Sequence, residues 1–231
     1  MFDISPTEWT AILLSLRVAI IATLVATPFG IALAWLLARH NFWGKSILDA
    51  LVHLPLVLPP VVTGYLLLLT FGRRGMVGAW LADNLGIVFA FRWTGAALAC
   101  GVMSFPLLVR PIRLSIEAID RRLEQASSTL GAAPWQVFVT VTLPLALPGI
   151  LAGMVLGFAK AIGEFGATIT FVSNIPGETQ TISSAIYSLI QTPDGDRAAG
   201  RLVLISIVIA MGALIASEWF ARRATQRLHG N

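Results

Sequence analysis

The sequence predicts an all-α, polytopic membrane protein with about five transmembrane helices. Three observations carry the prediction. Of its 231 residues, 56% are hydrophobic and 12% are charged, half the charged share of about 25% that coats an ordinary soluble domain. The apolar residues are gathered into runs of spanning length, roughly 20 residues for a hydrocarbon core of ~30 Å. Many of the 20 glycines and 12 prolines lie inside those runs, where membrane helices tolerate them. The same composition excludes disorder, which needs a charge-rich, apolar-poor chain. A formal net charge of +4 can signal nucleic-acid binding. Here the basic residues are dispersed between apolar runs and read as topology signals, so the expected partner is membrane lipid and not nucleic acid. The single cysteine, Cys100, excludes a disulfide framework and a Cys-based zinc site.

The spans follow in order, as one transmembrane domain over 1–231. The first covers about 10–38, with Arg17 its one charge, a residue expected to snorkel outward from the outer part of the helix. No Lys or Arg precedes Arg17 and the run is too long for a signal h-region, so it reads as a retained helix. The second covers about 46–71 and carries Leu54-Pro-Leu-Val-Leu-Pro-Pro60 near its middle. Freed carbonyls at Pro59 and Pro60 must be buried in protein or line a wet cavity. That makes this helix a candidate for the pathway, although a simple kink fits equally well. The third span covers about 93–109, the fourth about 148–173 and the fifth about 202–220. Pro148 suits the first turn of the fourth.

Orientation follows from basic residues at the span ends. Arg39, Lys45, Arg110, Arg113, Arg121, Arg122, Arg222, Arg223 and Arg227 fall on one side, against Arg73, Arg74, Arg92, Arg197 and Arg201 on the other. The richer side is assigned to the cytoplasm, which puts the N-terminus outside and the C-terminus inside.

The cytoplasmic segment 117–147 reads as a short helix capped by Asp120, a stop at Gly131 with Pro134 beyond it, and a second short amphipathic stretch containing Trp135, Val137, Phe138 and Val141. It fits a docking element for a cytosolic partner, and on spacing alone it also fits an ordinary connector. On the outer side, the apolar stretch 181–191 is too short to span and reads as a helix lying at the surface.

Lys160 and Glu164 are four residues apart near the middle of the fourth span, so they share a helix face and can pair. Ionisable groups at that depth face a bundle interior or a wet cavity. Gly163 and Gly166 flank Glu164 and permit close approach or local unwinding. The run Gly163-Glu164-Phe165-Gly166 is therefore read either as a pathway or gate element or as a packing device between subunits.

Catalytic motifs do not emerge. Gly44-Lys45-Ser46 resembles the tail of a phosphate-binding loop, but the required first glycine position holds Arg39. His40, His53 and His229 form no H-E-x-x-H pair, and G-x-S-x-G is missing. His53 reads as a packed or cavity-facing residue.

The segment 125–144 carries a recognisable pattern. Gln125-Ala126-Ser127, Gly131 and Val141-Thr142-Leu143-Pro144 resemble the cytoplasmic signature of permease subunits of ATP-binding-cassette importers: Glu-Ala-Ala, three residues, Gly, nine residues, Ile-x-Leu-Pro. The first position is Gln here, with Glu124 just before it, and the third is Ser. Within that superfamily the chain looks most like the molybdate permeases. The phrases that carry this are His53-Leu-Pro-Leu-Val-Leu-Pro-Pro-Val-Val62, Phe71-Gly-Arg-Arg-Gly75, Met103-Ser-Phe-Pro106, Leu189-Ile-Gln-Thr-Pro193 and the long run from Gly163 to Glu178. Sulfate permeases share the Gly-Glu-Phe-Gly-Ala core.

The resemblance implies a type I importer permease fold in the bacterial inner (plasma) membrane, without the extra N-terminal span that some relatives carry. It implies a homodimer, two cytosolic ATP-binding subunits and an extracytoplasmic oxyanion-binding protein. ATP and Mg2+ would sit on the partner ATPase, and this chain would hold no cofactor and catalyse no reaction. Glu124, Gln125, Ala126, Gly131, Leu143 and Pro144 would couple to the ATPase. Pro59, Pro60, Lys160, Glu164, Phe165 and Gly166 would line or gate the path. The competing readings are a sulfate or tungstate importer permease, a stand-alone channel or ion-coupled carrier, and a membrane-embedded enzyme.

Overall fold

The computed structural model describes residues 4–229, with side chains described through residue 216. Among the described residues the secondary structure is entirely helical. In order come α1 (Pro6–Arg39), α2 (Lys45–Val57), α3 (Pro60–Phe71), α4 (Met76–Leu85), α5 (Trp93–Glu117), α6 (Arg121–Thr129), α7 (Pro134–Val137), a π-turn (Phe138–Thr142), α8 (Leu143–Ile162), α9 (Gly166–Val172), α10 (Ile182–Leu189) and α11 (Asp196–His229). Among those residues four stretches are long and apolar enough to cross a membrane: Pro6–Arg39, Trp93–Glu117, Pro134–Ile162 and Asp196–Ala216. The pair α2–α3 makes a fifth if its two helices count as one bent span. Arg222, Arg223 and Arg227, three of the basic residues used for orientation, lie outside the residues whose side chains are described.

α1 begins with a reciprocal cap. Ser5 Oγ accepts from Glu8 N at 3.2 Å, Ser5 N donates to Glu8 Oε2 at 2.6 Å, and Pro6 occupies the first turn. This satisfies two of the donors that every helix N-terminus leaves open. The other oxygen of Glu8 pairs with Arg201 of α11 at 2.9 Å, so the start of α1 is tied to the start of the last span.

α5 lies between α1 and α8 and packs along both. Lipid offers helices no hydrophobic reason to associate, so close packing through small residues must supply it. α1 contributes buried Ala19, Ala22 and Ala34, and α5 contributes buried Ala96, Ala97, Ala99 and Cys100. Leu108 of α5 is the exception that needs room. It is completely buried and sits opposite Gly30 of α1 and Gly153 of α8. An added Cβ at Gly30 would strike the Leu108 side chain, and one at Gly153 would lie 2.5 Å from the Leu108 carbonyl oxygen.

Three expectations change. The second span is not one helix: α2 and α3 meet at 114°. Pro59 and Pro60 offer no N–H, and a residue before proline is driven out of the helical region. Leu58 accordingly has φ −71° and ψ 144°, and Pro60 starts the new helix. The run 148–173 is likewise divided, between α8 and α9. Its helix begins far earlier than Pro148, which lies inside α8. The amphipathic stretch after Gly131 is not a separate surface helix, because α7 runs through the π-turn directly into α8. There Leu143 N–H reaches back five residues to Phe138 O, just before Pro144, which has no N–H to give.

α10 also departs from the expected surface helix. Ile182 and Ala185 are packed with Ala11, Ile12 and Leu202, and Ile182 N donates to Ser15 Oγ of α1 at 2.7 Å.

Replacing Gly153 with Leu should lower the thermal unfolding midpoint of the purified protein, with a loss of about 1–3 kcal/mol from overpacking. Gly101→Ala is the control, since its added methyl meets nothing closer than 3.7 Å. An unchanged midpoint in Gly153→Leu would refute the close α5–α8 approach.

Candidate functional site

The two interruptions meet. Gly166 opens α9 against Pro60, the first residue of α3: a Cβ on Gly166 would lie 2.7 Å from Pro60 Cβ. One turn on, a Cβ at Gly64 would lie 2.5 Å from Ala167 O. The backbones of α3 and α9 are therefore in contact through glycine on both sides. Pro59 precedes this contact and is exposed.

Glu164 organises the second break. Its side chain is 1% exposed, and its Oε2 accepts from Lys160 Nζ at 2.7 Å. Oε1 accepts from Ala167 N at 3.0 Å, so the carboxylate caps α9 while neutralising a lysine on the last turn of α8. The pair forms as its spacing predicts, but not at mid-helix, since Gly163, Glu164 and Phe165 are outside both helices. The pair is asymmetric: the Lys160 side chain is 29% exposed, so the cation is the member that looks out.

The freed carbonyls at the end of α8 find partners within the protein. Ala161 O accepts from Cys100 Sγ at 3.5 Å, and Ile162 O from Ser183 Oγ at 3.4 Å. Phe165 O accepts from Thr168 Oγ1 at 2.8 Å. The Phe165 ring packs on Tyr187 of α10, centroid to centroid 5.0 Å. Irregular backbone at membrane depth is viable only where such groups are supplied.

The second constellation is at the α6 end. Asp120 caps α6 by accepting from Arg122 N at 2.9 Å. Leu130 ends the helix, and Gly131 follows at φ +90° with open space around a notional Cβ. Backbone strain, not crowding, is what restricts that position to glycine. Glu124 is turned inward, and its Oε1 accepts from Thr142 Oγ1 at 2.6 Å and pairs with Arg39 Nη2 at 3.1 Å. Arg39 also donates to Ile119 O at 3.3 Å. One carboxylate thus ties α6 to the last residue of α1 and to the π-turn below α8. Gln125 and Ala126 are exposed, as is Pro144, while Leu143 is half-buried. Leu130 and Trp135 are 90% and 68% exposed, large apolar groups beside a polar helix. Nearby, Arg113 of α5 holds Asp49 of α2 at 2.9 Å and Glu117 at 2.8 Å. His53 Nδ1 meets the Asp49 carbonyl oxygen at 2.8 Å within α2, with its side chain 34% exposed.

Sequence reasoning missed Gly64, Cys100, Ser183 and Tyr187 at the break and Thr142 as a partner of Glu124. A lone glycine in the apolar run Val61–Leu69 was a usable signal for Gly64. The others had none, because their roles arise from contacts distant in sequence.

The described residues thus form a helical bundle with two broken helices and a short α6 clamped by Glu124. The chain belongs to the family of binding-protein-dependent transport system inner membrane components, whose model matches residues 26–229. It is 62% identical over 220 residues to the molybdenum transport system permease protein ModB of Escherichia coli K12, covering 95% of this chain and 96% of that one. It is 57% identical over 221 residues to the protein of the same name from Haemophilus influenzae, covering 96% of each. Its fold matches a chain of a bacterial alginate ABC transporter crystallised with an alginate-bound periplasmic protein, with a TM-score of 0.75 at 20% identity, covering 96% of this chain and 81% of that one.

Removing one partner of the buried pair leaves an uncompensated charge, which costs about 3–5 kcal/mol. Lys160→Met should therefore destabilise the protein strongly in thermal unfolding, because the buried Glu164 is left without its cation. The double variant Lys160→Met with Glu164→Leu should recover much of that loss. Equal melting of the single and double variants would show that the pair carries no coupling.

Proposed function

We propose that the chain is the membrane-spanning permease of an ATP-driven molybdate importer, working as a homodimer with two cytosolic ATP-binding subunits and an extracytoplasmic oxyanion-binding protein. The observation that carries the reading is identity of 62% sustained over 95% of the chain with a molybdenum permease. ATP and Mg2+ belong to the partner ATPase. The N-terminus lies outside and the C-terminus in the cytoplasm, which turns α6 to the cytosol.

The mechanism follows from the two constellations. The ATPase docks on the outer face of α6, against Gln125, Ala126, Leu130 and Trp135, all exposed. Gly131 sets the turn on which that face is carried. Movement of α6 on ATP binding pulls on Glu124, which passes it at once to α1 through Arg39 and to α8 through Thr142. Leu143 and Pro144, at the head of α8, move with it.

A tetrahedral dianion cannot cross hydrocarbon, so the path is aqueous, and conduction requires weak binding at any one point. The path runs past the two broken helices, where Pro59, Pro60, Phe165 and Gly166 shape the wall. Lys160, the half-buried member of the pair, presents its remaining N–H donors there, while Glu164, buried behind it, does not meet the anion. The binding protein, not this chain, selects the oxyanion tightly. A stand-alone channel or carrier would have no use for the α6 clamp.

The test is uptake by the complete complex in proteoliposomes. ATP-dependent accumulation of radiolabelled molybdate is expected, with sulfate in excess competing poorly; equal transport of sulfate would overturn the assignment of the anion, and tungstate competition measures its breadth. In the same assay Gly131→Val should abolish uptake while ATP hydrolysis persists. Glu124→Gln loses a charge-assisted bond, and transport per ATP should fall about ten-fold. Unimpaired uptake in both variants would remove α6 from the mechanism.

A further inference from the structure

A long apolar groove of about 670 Å³ lies between α1, α2 and α5, with Val25, Phe29, Leu51, Gly101 and Phe105 among its lining residues and Trp93 at one end. Its walls are almost devoid of polar atoms, so it cannot carry a dianion, and it is separate from both constellations above. Phe29 and Leu51 are 66% and 58% exposed, so the groove opens sideways into what would be hydrocarbon.

The Trp93 end is different in chemistry. The Arg17 guanidinium lies 3.8 Å from the centroid of the Trp93 ring, and Arg92, the residue before it, is exposed. Among the described residues neither arginine enters an ion pair. Tryptophan and arginine together are the usual markers of the level where hydrocarbon meets headgroups. From Trp93 to Phe105 is twelve residues of helix, about 18 Å, close to half of a hydrocarbon core of ~30 Å. The groove is therefore one leaflet deep, with a cationic mouth at the water interface.

Its chemistry indicates the occupant. An apolar trough that ends beside an arginine with no carboxylate partner among the described residues complements one acyl chain joined to an anionic headgroup. We propose that this groove is a binding site for an anionic glycerophospholipid, one acyl chain lying between α1 and α5 and the phosphate held at Arg17. The site stands independently of the transport reading; only the identity of the leaflet, the outer one, rests on the proposed orientation.

The test is native mass spectrometry of the full chain purified in detergent, with dioleoyl phosphatidylglycerol or dioleoyl phosphatidylcholine added. The acyl chains are identical, so the headgroup alone differs. The wild-type chain should retain one phosphatidylglycerol at about five-fold lower lipid concentration than phosphatidylcholine, the effect of one arginine near an anionic headgroup. Arg17→Gln, a surface change, should erase that preference. Gly101→Leu should expel both lipids, because its Cβ has room but its side chain fills the groove. Equal retention of the two lipids by the wild-type chain overturns the proposal. So does unchanged retention in Gly101→Leu, and if that variant instead loses dimerisation with lipid binding intact, the groove belongs to a second copy.

Discussion

Backbone that leaves the helix at membrane depth has no water to fall back on, so each freed N–H and C=O must be answered by another part of the protein. Two interruptions in this chain impose that demand, one at Leu58–Pro59 and one at Gly163–Phe165. The response to the second joins two local groups to two from elsewhere in the chain. Glu164 caps α9 and holds Lys160, Cys100 comes from α5, and Ser183 comes from the loop-borne α10. Glycines at positions 64 and 166 then let the two interruptions touch. The broken helices are fixed in place by these contacts, which is why α10 is packed into the bundle and is not laid on its surface.

The same logic appears at the opposite end in electrostatic form. Glu124 is mostly buried, and a buried carboxylate is tolerable only when its acceptors are used. Arg39 and Thr142 both donate to its Oε1. The result is a rigid joint between a short polar helix and two long apolar ones. A joint of this kind transmits a displacement without stretching, which is the property that the proposed coupling to an ATPase requires. Arg39 was read as a marker of topology; its side chain is only 9% exposed, and its structural duty is this joint.

Much of the fold was legible because hydrocarbon imposes a severe length and polarity filter on a sequence. The apolar helical character, the cap at Asp120 and the turn at Gly131 follow from local chemistry, and the structure has each of them. The continuity of α7 with α8 was not legible, because Gly131 with Pro134 read as a break and Pro148 read as the start of the fourth span. Pro134 instead starts a helix, and a π-turn ahead of Pro144 carries that helix on into α8. The position of the Lys160–Glu164 pair was misjudged for a related reason. Four-residue spacing predicts a pair on a continuous helix, yet the carboxylate prefers to cap α9, and the helix yields at Gly163.

The sequence by itself determined that the chain is a helical membrane protein, that Gly131 is a turn and that Lys160 pairs with Glu164. These depend on composition and on neighbours within a few residues. Only the tertiary structure decided that the Pro59–Pro60 break and the Gly163–Gly166 break form one site, that Glu124 and not Gln125 is the clamped residue of α6, and that an apolar groove runs down from Trp93. Those depend on which helices lie side by side, and in a bundle held by small residues nearly every apolar face could pack against any other. The choice among faces is made by a few polar groups that must find partners far away in the chain, and their partners become visible only once the chain is folded.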